Sequence, residues 1–196
     1  MVDETAGVNR RKGKKRSVNW KKEIISWICI FIIAGGCAFI LDTYFIANSF
    51  VPTGSMENTI MAESRIIGSR LTYRFSEPQR GDIAVFIFPD DKAKGITTYY
   101  VKRIIGLPGE TIDIIDGKVY VNGSDIPIDE PYLKEPMEMN GNNHLRYEIP
   151  EGHYFMMGDN RNNSNDSRFW EEKYVPRKDL LAKVYLEYFP KPQILH

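Results

Sequence analysis

TIDIIDGKVYVNG, residues 111–123, is the stretch that decides the fold. Two short runs rich in β-branched residues flank Asp116-Gly117, and both of those residues tolerate the positive φ angles of a two-residue hairpin turn. Asn122-Gly123 then ends the second run. An antiparallel hairpin is expected here, and the segments around it repeat the pattern. Before it lie IIGSRLTY (66–73), GDIAVFIF (81–88) and TTYYVKRIIG (97–106). Pro78 and Gly81 turn the chain between the first two, and Leu107-Pro108-Gly109 closes the third. After it, LRYEI (145–149), HYFMM (153–157) and LLAKVYLEYF (180–189) return to a sheet. From Asp125 through Asn143, prolines, Gly141 and repeated Asn predict an extended excursion, and a small inserted subregion is expected near 112–150. Strands dominate with no strand–helix alternation. The expected fold class is therefore mainly β, an antiparallel or mixed β-sheet body.

Upstream of this body, IISWICIFIIAGGCAFIL (24–41) holds eighteen residues without a charge. A hydrocarbon core of ~30 Å needs roughly 20 helical residues, so this run with its flanks spans it as a single N-terminal transmembrane helix. Trp20, Trp27 and Tyr44 suit the two interfaces. The whole chain of 196 residues balances 26 Lys and Arg against 26 Asp and Glu, but unevenly. Residues 1–23 carry eight basic and three acidic side chains, a net of +5, which leaves a net of −5 on the remainder. The positive-inside rule puts 1–23 in the cytoplasm as a basic tail and the 42–196 body on the extracytoplasmic side of the 24–41 helix. An acidic body argues against nucleic-acid binding. A cleaved secretory signal, with processing near Ala47, is the competing reading, although the apolar run exceeds the usual ~7–15 residues of such a signal. The GGC at 35–37 touches a lipoprotein processing pattern, with Ala34 a poor match to it. Cys29 and Cys37 lie eight helical residues apart, ~12 Å of rise, beyond disulfide reach.

Three segments of the body draw chemical interest. Pro52-Thr53-Gly54-Ser55-Met56 sets a serine on a constrained turn just beyond the anchor, where neighbouring amides can face a developing oxyanion. Most serines in turns are structural. Lys102 interrupts an apolar strand, on the face of Tyr100 and Ile104, with Arg103 opposite. At least one of these adjacent cations must occupy the less solvated face. A desolvated lysine has its pKa lowered from ~10.4 and becomes able to take a proton; a snorkelling lysine on an edge strand is the plainer alternative. Gly158 through Arg168, GDNRNNSNDSR, is either a solvated loop or one braced by Asp166 and Arg168 while Ser164 orients another side chain. Composition does not choose between these. His144 and His153 lie near strands without a third partner at ligand spacing, and neither they nor His196 suggest a metal site.

In order, PTGSM, RGDIAVF, YYVKRIIGLPGE and GDNRNNSNDSR closely resemble the motifs of bacterial type I signal peptidases, membrane-bound Ser/Lys endopeptidases that release exported preproteins from their signal peptides. The resemblance includes the single N-terminal anchor and a β-sheet catalytic body of the signal-peptidase type. It implies Ser55 as nucleophile and Lys102 as general base, the two forming a dyad without cofactor or metal. Thr53 matches the hydroxyl that helps the Ser55 amide bind the oxyanion, and Ser164 the residue that orients the lysine. Asp166 and Arg168 match a supporting ionic pair, Asp159 and Asn160 the surrounding shell, and Gly158 a close-approach position. The implied reaction proceeds through an acyl-enzyme after small residues of Ala-x-Ala type, with extended substrate paired to a strand. The implied partners are preprotein signal peptides, membrane lipid and, by proximity, the secretion translocon, in a bacterial cell membrane. Phe45, Phe50 and Met56 are the candidates for membrane contact. One departure stands out: many members have Pro before Thr where this chain has Asn58-Thr59, so the segment is expected to be more mobile or to reshape a leaving-group-side subsite. Other readings are a different Ser/Lys peptidase, such as a self-cleaving repressor of similar core, and an inactive membrane-tethered binding module. The first predicts a soluble DNA-binding domain where this chain has a basic tail and an apolar span. Intact Ser55 and Lys102 disfavour the second.

Protease added outside sealed cells should spare residues 1–23 and digest the C-terminus. Accessibility of both termini from one side would contradict a single span.

Overall fold

A computed structural model describes residues 20–139, 141 and 143–195. Of the expected basic tail, all but Trp20–Glu23 lies outside the described residues. Helix α1 runs Trp20–Tyr44, longer at both ends than the uncharged run. Its Trp20–Leu41 portion, 22 residues, measures about 33 Å at the α-helical rise, long and apolar enough to cross a membrane. Ile24, Ile28, Phe31 and Phe39 are all exposed along it, as lipid-facing side chains would be.

The body from Ile40 onward is built on a main sheet of eight strands. In chain order these are β1 (Ile46–Val51), β2 (Ser64–Ser69), β3 (Ile83–Ile87) and β4 (Tyr99–Gly106). After β5 (Thr111–Ile115), β6 (Lys118–Val121) and β7 (His144–Glu148) come β8 (His153–Met157), β9 (Val175–Pro176), β10 (Leu180–Phe189) and β11 (Gln193–Ile194). The main sheet has the order β1-β2-β10-β3-β4-β8-β9, with β11 beside β10, and its pairings are antiparallel. Strands β6-β5-β7 form a second antiparallel sheet of three strands, drawn from the two ends of 111–148.

The hairpin pattern that opened the sequence reading is present in full. Asp116 and Gly117 adopt φ of +47° and +79° between β5 and β6, with Ile114 opposite Val119. Strand β3 reads as a continuous apolar run because it is covered on both faces, with Ile83, Ala84, Val85 and Phe86 all buried. Its two faces feed separate cores. One holds Met56, Ile60, Ile66, Ile83 and Val85. The other is aromatic: Phe88 stacks on Tyr100 at 4.3 Å between centroids, and Trp170 meets Phe88 edge-on at 5.2 Å. A third core, with Ile112, Ile114 and Tyr147 against Ile105, Phe155 and Met157, joins the small sheet to the large one.

Two expectations are corrected. The segment 66–73 is not one strand: β2 starts at Ser64 and ends at Ser69, and Thr72–Phe75 is a helical turn, α2. The Ser69 hydroxyl accepts the Thr72 amide at 3.3 Å, and buried Tyr73 donates to Asp82 Oδ2 at 3.3 Å. Polar anchors outside the alternation thus bend the chain. Met56, expected at the membrane surface with Phe45 and Phe50, is wholly buried in the first core, whereas Phe50 is exposed. A short helix, α3 (Pro89–Ala93), follows β3.

Gly117 and Gly123 both have positive φ, +79° and +71°, but a Cβ at 117 would overlap the Met137 carbonyl while one at 123 meets nothing within 4 Å. Gly123→Ala should cost about 1 kcal/mol from backbone strain alone. Gly117→Ala should cost at least about twice that, because the 137 backbone must also move. Urea unfolding in detergent checks the order, and equal costs would contradict the contact.

Candidate active site

Ser55 lies inside a single 3-10 turn, Gly54–Met56, directly after β1. Buried Val51 on one side and buried Met56 and Ile60 on the other anchor the turn in the first core. The Glu57 amide donates to the Gly54 carbonyl at 3.1 Å, and the Ile60 amide to the Met56 carbonyl at 2.7 Å. The serine is itself only 7% exposed. Thr53 Oγ1 stands 3.4 Å from Ser55 Oγ.

Lys102 reaches the same point from β4. The β3–β4 register sets it opposite Ala84, whose small side chain leaves room beside it. Its Nζ lies 2.7 Å from Ser55 Oγ and 3.2 Å from the Val101 carbonyl, with the Tyr100 ring centroid 5.5 Å away. Burial pushes its pKa down to about 8; the charges of Asp166 and Asp159 oppose that shift without cancelling it. Beside the pair opens a cleft of about 320 Å³, walled by 50–55 on one side and 99–102 on the other, with Asn163 and Asn165 also lining it.

The 158–168 loop packs against the turn from below. A Cβ on Gly158 would overlap both Ser164 Oγ and the Ser55 carbonyl oxygen, so the two segments meet because position 158 has no side chain. The Asn160 amide group donates to the Gly54 carbonyl at 2.9 Å, and its backbone N–H donates to the Ser55 carbonyl at 3.1 Å. Asp166 accepts the Gly158 amide at 3.0 Å and is gripped by Arg168, Nε at 2.8 Å and Nη2 at 2.9 Å. The second Arg168 nitrogen also holds the Arg161 carbonyl at 2.7 Å. This loop is braced from within, and Asp159, Asp166 and Ser167 are all buried.

All nine expected site residues gather here. Two details differ from the reading of the motifs. Ser164 is buried within this shell, yet among the described residues its Oγ has no hydrogen-bond partner, so no Ser164–Lys102 bond is formed. Asn58, expected either to loosen its segment or to reshape a leaving-group-side subsite, adopts φ +85° and donates its amide to the Tyr132 and Leu133 carbonyls, which ties the segment down.

Arg103 and Thr59 were not singled out from sequence. Arg103 is 2% exposed and holds Asp159 with both Nε, at 2.9 Å, and Nη2, at 2.6 Å. Thr59 donates to the same carboxylate at 2.5 Å. The available signal was the pair of adjacent cations in an apolar strand: both are buried, one on each face.

Folding leaves Lys102 less able to carry charge than it is in the unfolded chain. Between about pH 8 and its ordinary 10.5 the unfolded chain binds more protons, so this group's contribution to stability rises with pH. Lys102→Met should therefore stabilise the body at pH 7 by about 1 to 3 kcal/mol. The advantage should shrink as pH rises through that window. Denaturation midpoints at pH 7 and 10.5 test this, and a pH-independent difference would contradict it.

The profile of the family described as "Signal peptidase, peptidase S26" matches residues 24–189. The Synechocystis sp. protein named "Probable signal peptidase I-2" is 38% identical over 155 residues, covering 79% of this chain and 68% of its own. Signal peptidase I of Leptolyngbya laminosa is 35% identical, covering 76% of this chain and 72% of its own. Signal peptidase I S of Bacillus subtilis is 36% identical, covering 79% and 84%. The match takes in the apolar helix and the sheet body together. The chain belongs to the membrane-bound signal peptidase I family, peptidase S26.

Proposed function

We propose that this protein is a serine endopeptidase that removes signal peptides from exported preproteins, with Ser55 as nucleophile and Lys102 as general base. The observation that carries the reading is the 2.7 Å contact between Lys102 Nζ and Ser55 Oγ in a buried setting that drives the amine toward neutrality. Neutral Lys102 accepts the Ser55 proton as Oγ attacks the scissile carbonyl. Charge then develops on the carbonyl oxygen, and the Ser55 amide and Thr53 hydroxyl are the donors at hand to receive it. Protonated Lys102 delivers its proton to the leaving amine, which leaves an ester on Ser55. Water, giving a proton to the same amine, hydrolyses that ester and restores the dyad.

A neutral amine offers two N–H groups and one lone pair. The lone pair must face the Ser55 hydroxyl, and the Val101 carbonyl at 3.2 Å is one acceptor for the N–H groups. Ser164 Oγ, buried in the same shell and unpartnered, is the hydroxyl suited to take the second. Asp159, Asn160, Gly158, Asp166 and Arg168 act behind these groups by holding the loop that carries Ser164 against the turn that carries Ser55.

The cleft between 50–55 and 99–102 suits an extended peptide of Ala-x-Ala type. An extended chain laid between 50–55 and 99–102 would pass beside Ser55 and could pair with the backbone of either wall. The basic stretch 10–22 and the apolar α1 favour a cytoplasmic N-terminus with the body outside. The body then faces emerging preproteins beside the translocon.

Purified enzyme should cleave an Ala-x-Ala preprotein with kcat/KM rising through about pH 8, the direction expected when the neutral amine is the active form. Ser55→Ala and Lys102→Ala should each lose at least ~10³-fold, and Lys102→Arg nearly as much, because a guanidinium stays protonated. Thr53→Val and Ser164→Ala should lose roughly 10- to 100-fold. A folded Lys102→Arg enzyme of wild-type kcat/KM would overturn the base assignment, and turnover by Ser55→Ala the nucleophile.

A further inference from the structure

Residues 130–139 form no helix or strand, yet they are tied to the active site from two directions. On the nucleophile side, Asn58 donates its amide to the carbonyls of Tyr132 at 3.0 Å and Leu133 at 3.3 Å. Lys134 Nζ meets the Glu57 carboxylate there at 2.7 Å. On the side of the 158–168 loop, Glu130 receives the Arg161 guanidinium at 2.5 Å. Asn162 uses both ends of its amide, accepting the Glu138 N–H at 2.8 Å and donating to the Pro136 carbonyl at 3.0 Å. Between the two anchorages the Tyr132 ring lies 3.9 Å from the Arg103 guanidinium, and its hydroxyl donates to Glu130 at 2.9 Å.

The connections close on themselves. From the Ser55 turn the path runs through Asn58 into the 130–139 segment and out through Arg161, whose Nε holds the Gly158 carbonyl at 3.0 Å. It returns from the loop to the turn through Asn160 and the Gly54 and Ser55 carbonyls. We propose that 130–139 is a strap fixing the spacing between the nucleophile turn and the 158–168 loop, with Asn58 as the residue through which it positions Ser55. The inference rests on the Ser55–Lys102 reading of the site.

The placement of the contacts favours this role over simple packing. They fall on 57 and 58, two and three residues past the nucleophile, on Arg103 beside Lys102, and within the opposing loop at 161 and 162. Position 58 is also specialised. Its φ of +85° lies in the left-handed region, which asparagine enters more readily than other side chains and which proline, locked near −65°, cannot enter. From that conformation the amide reaches both strap carbonyls, and a chain with proline at 58, which has no side-chain amide, lacks this tie. The Asn58-Thr59 departure noted in the sequence thereby becomes a coupling between two segments 74 residues apart.

The test uses the full chain in detergent with Asn58→Gly, which keeps the backbone conformation but deletes the amide, and Asn162→Ala at the exposed far anchorage. On an Ala-x-Ala peptide each should lower kcat about 3- to 10-fold with KM within about twofold, because misplacement rather than lost substrate contact is at work. Both substitutions loosen the same strap, so their effects should be non-additive, the double variant losing less than the product of the two single losses. Unchanged kcat in both folded single variants, an effect confined to KM, or losses that multiply would each overturn the strap. A second readout needs no activity: in Asn162→Ala, amide hydrogen exchange across 54–60 should quicken several-fold. Exchange altered only around 135–139 and 160–165 would reject transmission to the nucleophile turn. Wild-type enzyme that fails to cleave the peptide while this exchange response persists would instead count against the proposed reaction and leave the strap standing.

Discussion

Lys102 and Arg103 are neighbours on one strand, both withdrawn from water, and they are treated in opposite ways. Arg103 is given a carboxylate, Asp159, held by two nitrogens and by Thr59 as well. Among the described residues no carboxylate comes within ion-pair distance of Lys102; Asp159 and Asp166 act on it only from farther off. An unpaired buried ammonium sheds its proton far more readily than a paired one, since desolvation is then opposed only by distant charge. The strand's alternation thus sends one cation into an ion pair and the other against a serine. The rest of the site follows from keeping both arrangements intact.

Much of this was legible in the chain. The Asp116-Gly117 turn, the apolar runs of β3 and β4 and the interruption at Lys102 are local signals, and local signals survive without tertiary information. What the chain did not disclose are pairings between residues far apart. Asp159 joins Arg103 across 56 positions, and Asn58 joins Tyr132 across 74. Neither has a periodic signature. The bend at Thr72–Phe75 was missed for a related reason: alternation extends a strand until something stops it, and here the stop is a serine hydroxyl and a buried tyrosine. Met56 was misplaced because an apolar residue beside a membrane anchor looks the same in sequence whether it faces lipid or core.

Three buried arginines, 103, 161 and 168, surround the site, each with a carboxylate partner. Such pairs are poor sources of stability, because desolvating two charges costs about as much as their attraction returns. Their arrangement suggests a different use. Each guanidinium also takes a backbone carbonyl: Gly81 for Arg103, Gly158 for Arg161 and Arg161 for Arg168. A planar group with several fixed donors, clamped by a carboxylate, sets the position of an otherwise irregular backbone more tightly than an apolar contact does. This is what a loop whose one regular element is a 3-10 turn at Arg161–Asn163 needs if it is to carry groups to within a few tenths of an ångström.

The nucleophile turn shows how the same logic leaves one group available. Its backbone acceptors are taken up in sequence: Gly54 by Glu57 and Asn160, Ser55 by Asn160, Met56 by Thr59 and Ile60, and Thr59 by the Gln193 side chain at 2.9 Å. Beneath them Met56 and Ile60 are locked in the first core. A turn whose carbonyls were unsatisfied would draw the serine hydroxyl into a local bond, as short polar side chains do in turns. With those acceptors already occupied, Ser55 Oγ has Lys102 Nζ as its near partner at 2.7 Å and Thr53 Oγ1 as a longer one. Satisfying the backbone first is what keeps the hydroxyl facing the amine and the cleft.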